Sequence, residues 1–208
     1  MEGAIAADFI EAGGWLVELA SQVPEDRLED VGLGVWSVRS LLGHAARSLL
    51  TVIEYLGHPA EEVALDSALA YLSSAGRAAP AAIAQRGVAA GRELGDDPAT
   101  RVAALAEQSA RLVRTTPADQ LLTTIAGGMR LEDYLPTRTL ELVVHGLDLA
   151  AAIGSDAEPP RRATSSMLEL LVELQVRRGR TAALVLLLSG RATPPGSLEL
   201  WPSPDPAS

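Results

Sequence analysis

The segment RTLELVVHGLDLA, residues 138–150, constrains the architecture more tightly than any other stretch. Leu140, Leu142, Val143, Val144, Leu147, Leu149 and Ala150 leave it without a continuous polar face, so as a helix it must be enclosed on most sides. A helix enclosed by protein needs neighbours of similar length, and a bundle of helices supplies them. Into this apolar run are set Glu141, His145 and Asp148. At about 100° per residue, positions spaced four and then three apart fall on one face. An unpaired carboxylate in such surroundings is costly, so the three groups need partners.

The other segments can provide the neighbours. Apolar positions recur at helical spacing over residues 4–22 (Ile5, Phe9, Ile10, Trp15, Leu16, Leu19) and over 37–56 (Leu41, Leu42, Ala45, Leu49, Ile53), the second opened by Ser37 as N-cap. PEDRLEDVGLGV between them reads as a loop. Residues 60–95 read as helical with a weak apolar face, divided or kinked at Pro80, and this Ala-rich stretch is the candidate surface for a homodimer. GDDPAT announces another helix over about 98–116. The paired glycines 127 and 128 suggest a tight turn within a small hairpin. The helix holding the polar stripe starts between 132 and 137 and ends near Gly154. Further helices are expected over 162–178 and 181–189, and a strand over 198–201. The fold class is therefore all-α, a bundle over 1–190 with extra short helices, followed by a tail over 191–208.

Composition narrows the function. The chain of 208 residues is 48% hydrophobic and 21% charged, enough to bury a real core, and its net charge of −10 with no basic stripe speaks against a nucleic-acid partner. The cluster Arg177, Arg178 and Arg180 is short and reads as a helix end. There is no cysteine and no lysine, so the protein has no thiolate ligand, no thiol nucleophile and no Schiff-base amine of its own. No basic leader is visible at the start, and the longest apolar run is about half of a membrane span, so a cytoplasmic, soluble protein is expected.

Three explanations fit the polar stripe. It can be a self-contained network, with Glu141 accepting from His145 and pairing with Arg138 at i−3. It can be an acid–base pair. Or it can be part of a metal site, to which a carboxylate oxygen and an imidazole nitrogen are suited. The third needs another ligand. His58, in GHP at a helix end, reads as a surface residue; His44 lies inside the apolar helix VRSLLGHAARSLL. Two histidines and one glutamate from two central helices leave a fourth coordination position open, as catalytic rather than structural metal sites do.

WSVRSLLGHAARS (36–48) resembles the W-x-V-R-[DS]-L-x-x-H segment of the mycothiol-dependent maleylpyruvate isomerase-like family, within the DinB-like superfamily of metal-binding four-helix bundles. RTLELVVHGLDLA resembles that family's R-x-x-E-x-x-x-H-x-x-D segment, and ALVLLLSGRATPPG (183–196) resembles the stretch that closes its bundle domain. The resemblance implies a DinB-like bundle in which His44, Glu141 and His145 hold a divalent metal, usually zinc. It also implies mycothiol as an external thiol at the open position and a small electrophile as substrate, hence an S-transferase or isomerase. No catalytic side chain is assigned; the resemblance points to a metal-bound thiol or water as the reacting group. The family's full isomerase has a second α/β domain, for which the 18 residues after Gly190 are too few, so the expectation attaches to the bundle's metal site. Asp148 is expected either to orient a ligand histidine through its other ring nitrogen or to make only a helix-surface or helix-end hydrogen bond. Arg138 is expected to support Glu141 or to face a substrate carboxylate, the structural role being favoured. Trp36 reads as a packing anchor and Arg39 as structural. The rival readings are a non-enzymatic metal-binding or interaction module and a metal-dependent hydrolase.

Overall fold

The computed structural model describes residues 3–75 and 80–191. Along the chain run α1 (Ala4–Gln22), a 3-10 turn (Glu25–Arg27), β1 (Val31–Leu33), β2 (Trp36–Ser37), α2 (Val38–Leu56), α3 (Ala68–Ala75) and α4 (Pro80–Glu93). They are followed by α5 (Pro98–Thr115), β3 (Leu121–Thr124), β4 (Gly127–Arg130), α6 (Leu131–Ile153), α7 (Arg161–Arg177) and α8 (Thr181–Leu188). The fold is all-α, with two antiparallel hairpins, β1–β2 and β3–β4, as minor additions. No helix among the described residues is long and apolar enough to cross a membrane.

Four helices form the bundle. α6 packs between α1 and α2, and α5 packs between the same two on the other side, so α1 and α2 stand on one diagonal and α5 and α6 on the other. Phe9, Leu16, Leu19, Leu41, Leu42, Leu49, Val102, Leu105, Leu140, Leu142 and Leu149 fill the interior. α6 has buried residues around most of its circumference, which is why its sequence lacks a polar side. The helix termini follow local chemistry. Ser37 Oγ accepts from the Ser40 amide (3.3 Å), and Asp97 accepts from the Thr100 amide (3.0 Å) with Pro98 in the first turn. Gly154, in the left-handed region at φ 72°, stops α6. α6 and α2 run antiparallel: His44 lies level with Glu141 and His145, and about two turns further along Tyr134 Oη meets Thr51 Oγ1 at 3.1 Å.

α4 lies across the outer face of α2 at backbone contact. A Cβ on Gly43 would stand 2.3 Å from the Gly91 nitrogen, and one on Gly91 would stand 2.8 Å from the Ser40 Cα. Only glycine at both positions permits that approach, and the buried face of α4 (Gly87, Ala90, Gly91) is thereby engaged within the chain.

Several expectations need correction. The loop over 24–35 contains a 3-10 turn and β1, which pairs with β2 just beyond it, Val31 opposite Ser37 and Leu33 opposite Trp36. The helical reading of 60–95 fails over its first part, which is irregular through residue 67; α3 and α4 follow, α4 beginning at Pro80, the expected point of division, with 76–79 outside the described residues. The 127–128 glycines are not the turn: Ile125 and Ala126 form it, and the glycines begin β4. Their smallness serves a close approach instead, since a Cβ on Gly128 would lie 2.0 Å from the Glu62 carbonyl oxygen, and the Gly128 carbonyl accepts from the amides of Ala64 and Leu65. Leu147 is exposed, because the face of α6 it occupies is left uncovered. α8, in the segment resembling the family's closing stretch, buries no residue and packs chiefly on α7. The expected strand over 198–201 and the tail lie outside the described residues.

Candidate metal centre

The middle of α2 supplies His44, and the middle of α6 supplies Glu141 and His145 one turn apart. One donor atom from each of the three lies within 4.8 Å of the others. His145 Nε2 stands 3.2 Å from Glu141 Oε2, and its Nδ1 stands 3.1 Å from Asp148 Oδ2. The i, i+4 and i, i+3 spacings read from the sequence thus become two hydrogen bonds to opposite edges of one imidazole. The His44 ring meets the His145 ring edge-on, centroids 4.7 Å apart. His44 Nδ1 is buried without a hydrogen-bond partner.

Trp36 walls this cluster on one side. Its ring lies 4.4 Å from that of His44 and 6.3 Å from that of His145, and its Nε1 donates to the Ala84 carbonyl at 2.9 Å. α4 therefore grips the tryptophan that covers His44; a Cβ on Gly87 would fall 2.5 Å from the indole. Trp36 is a packing anchor, and what it packs on is His44 itself.

The opposite side has a second polar layer. Arg138 places its guanidinium over the rings of Tyr134 (5.0 Å) and Tyr71 (5.5 Å), and its Nε donates to Thr137 Oγ1 at 3.0 Å. It makes no ion pair with Glu141, so the expected i−3 pair is replaced by stacking. Arg39 is structural, bonded to Glu29 Oε1 (2.7 Å) and the Gly95 carbonyl (2.8 Å), and His58 is exposed in its loop. Arg47, Tyr55, Tyr71 and Tyr134 were not singled out in the sequence. The available signal was that Arg47 sits one turn from His44, as Arg138 does from Glu141.

The charges are distributed unequally. Burial, with the positive charge of His145 beside it, pushes His44 down to about 4. Burial alone would raise the Glu141 carboxyl, but the hydrogen bond from His145 and the positive charge of Arg138 outweigh it and hold it at about 2. Burial also opposes charge on His145, yet its bonds to Asp148 and Glu141 raise it to about 9. Near neutral pH the cluster is a neutral imidazole, an imidazolium and a carboxylate.

This donor set fits a divalent ion. His44 has a buried nitrogen with nothing to bond, His145 is turned by Asp148, and Glu141 contributes a negative charge in an apolar setting. Fold and site together define a helical bundle with a His–Glu–His cluster of metal-ligand type at its centre. A family model described as the mycothiol maleylpyruvate isomerase N-terminal domain matches residues 12–150, well over half of the chain, and the chain belongs to that family; the DinB-like bundle accords with it. Comparison with curated proteins and with solved structures returned no match.

Proposed function

We propose that His44, Glu141 and His145 hold a divalent cation of the zinc type, and that the protein uses an external thiol, mycothiol or its like, to attack a small electrophile as a transferase or isomerase. The observation that carries this reading is the convergence of three donors from two central helices around an orphan His44 nitrogen. The family's relation to mycothiol supplies the thiol, and the chain's lack of cysteine leaves that role to an outside molecule.

When bound, such an ion offers an open coordination position and lowers the pKa of a thiol placed there. The chain's own residues do the rest. Asp148 fixes the His145 ring so that one nitrogen faces the cluster. Glu141 partly neutralises the ion's charge. Trp36, held by α4, keeps water from the His44 side, which strengthens the electrostatic interactions inside. A reducing, cytoplasmic compartment suits a free-thiol co-substrate.

The test is elemental analysis of protein purified without an affinity tag, followed by turnover of a chromogenic electrophile with and without mycothiol. Stoichiometric metal that disappears in His145→Ala, with turnover dependent on the thiol, is the expected result. Metal-free protein, or metal content unchanged in His145→Ala, overturns the site. Turnover that needs no thiol points to hydrolysis by bound water instead.

A further inference from the structure

Resting on that reading, we propose that Arg138, assisted by Arg47, is the anion-binding residue of the site and holds a carboxylate of the small molecule that reacts at the His44–Glu141–His145 cluster. Two tyrosine rings stack on the Arg138 guanidinium, at 5.0 and 5.5 Å, and Thr137 takes its Nε. Thr137 is in turn fixed, its Oγ1 donating to the Tyr134 carbonyl at 2.7 Å, and Tyr134 is fixed by Thr51. The two terminal nitrogens are left with no hydrogen bond or ion pair to any described residue. They are the prongs of the fork that matches a carboxylate.

The position suits the purpose. Arg138 lies one helical turn from Glu141 on α6, and Arg47 lies one turn from His44 on α2. Because the helices are antiparallel, both arginines occupy the layer next to the cluster, on the side away from Trp36. Both are half-buried and neither has an acidic partner among the described residues. The positive charge of each is felt by His44. Glu141, the carboxylate one turn along α6 from Arg138, is bonded to His145. In a chain of net charge −10, two half-buried arginines that both act on His44, without acidic partners among the described residues, are a local reversal of sign. An anion bonded to Arg138 would lie one helical turn along α6 from Glu141.

Benzoate is a suitable probe, with neutral, isosteric benzamide as control. Binding to the full chain is followed by saturation-transfer NMR, on zinc-loaded and on metal-free protein. We expect benzoate to bind, benzamide to bind at least tenfold more weakly, and Arg138→Gln to weaken benzoate about tenfold or more with zinc content unchanged. Arg47→Gln should weaken it severalfold. Benzoate binding that is equal in wild type and Arg138→Gln, or equal for benzamide, overturns the proposal. Benzoate that binds only the zinc-loaded form and ignores Arg138 is metal ligation, which overturns this inference and leaves the metal reading standing. A chain that takes up no zinc but loses benzoate binding in Arg138→Gln overturns the metal reading and upholds the anion site. Should Arg138→Gln fail to fold, Arg138→Lys decides, since it keeps the charge and loses the fork: threefold or greater weakening upholds the proposal, and unchanged binding overturns it.

Discussion

Loading the cluster with zinc should expel one proton, and that proton should come from His145. His145 is held at about 9, against an ordinary value of 6.5, while His44 lies at about 4 and Glu141 at about 2. At pH 7 His44 therefore already offers a lone pair and Glu141 a negative charge, but His145 is about 99% protonated. Removing that proton across two pH units opposes loading by about 3 kcal/mol, a hundredfold in apparent affinity. The affinity should rise about tenfold per pH unit between pH 6 and 8. Calorimetric titration in buffers of low and high ionisation enthalpy measures the proton directly. The slope of observed enthalpy against buffer ionisation enthalpy should be close to one at pH 7. In Asp148→Asn the strongest support for the charged ring is gone, so the slope should fall and the pH dependence should move to lower pH. A slope near zero in the wild type, or an affinity flat from pH 6 to 8, would refute the assignment of the proton to a ligand histidine.

Three further outcomes follow from the geometry. The metal-free protein should be most stable near pH 6.5: stability contributed by charged His145 is lost as pH rises through 9. That contributed by ionised Glu141 is lost as pH falls below 4.5 toward 2, and His44, with its lowered pKa, favours the unfolded chain as pH falls from 6.5 to 4. Urea denaturation across pH 4–9 measures this curve. Gly43→Ala should cost about 3 kcal/mol, because its Cβ would meet backbone of α4 that cannot give way, and a thermal melt beside that of an exposed Gly→Ala control, such as Gly14→Ala, reports it. Trp36→Ala should cost a similar ~3 kcal/mol and admit water to His44, moving its titration, followed by NMR of the ring protons, upward toward 6.5.

The long helices were legible because the apolar period survives in α1, α2, α5 and α6, and their caps are ordinary local chemistry. His44, Glu141 and His145 could be paired on paper because two of them share a helix face and few histidines compete. The remainder depends on contacts between distant segments. Nothing local tells that Tyr71 on α3 reaches Arg138, or that Ala84 on α4 holds Trp36 against His44. Gly127 and Gly128 misled for the same reason: glycine marks either a turn or a close approach, and only the fold shows that Glu62 lies against Gly128. Arg138 at i−3 from Glu141 suggested an ion pair, but two aromatic rings compete successfully for its guanidinium.

His44 and Glu141 stand about a hundred residues apart in the chain, with α3, α4, α5 and the β3–β4 hairpin between them. A cation bound by both would cross-link the ends of that long loop, and closing a loop of this size removes much of the freedom of the unfolded chain. In a protein that has no cysteine with which to make a disulfide, coordination would be its one covalent-like staple. Chelation would then loosen the half of the molecule enclosed by that loop as well as disarm the site, and proteases should find the metal-free form the easier one to cut.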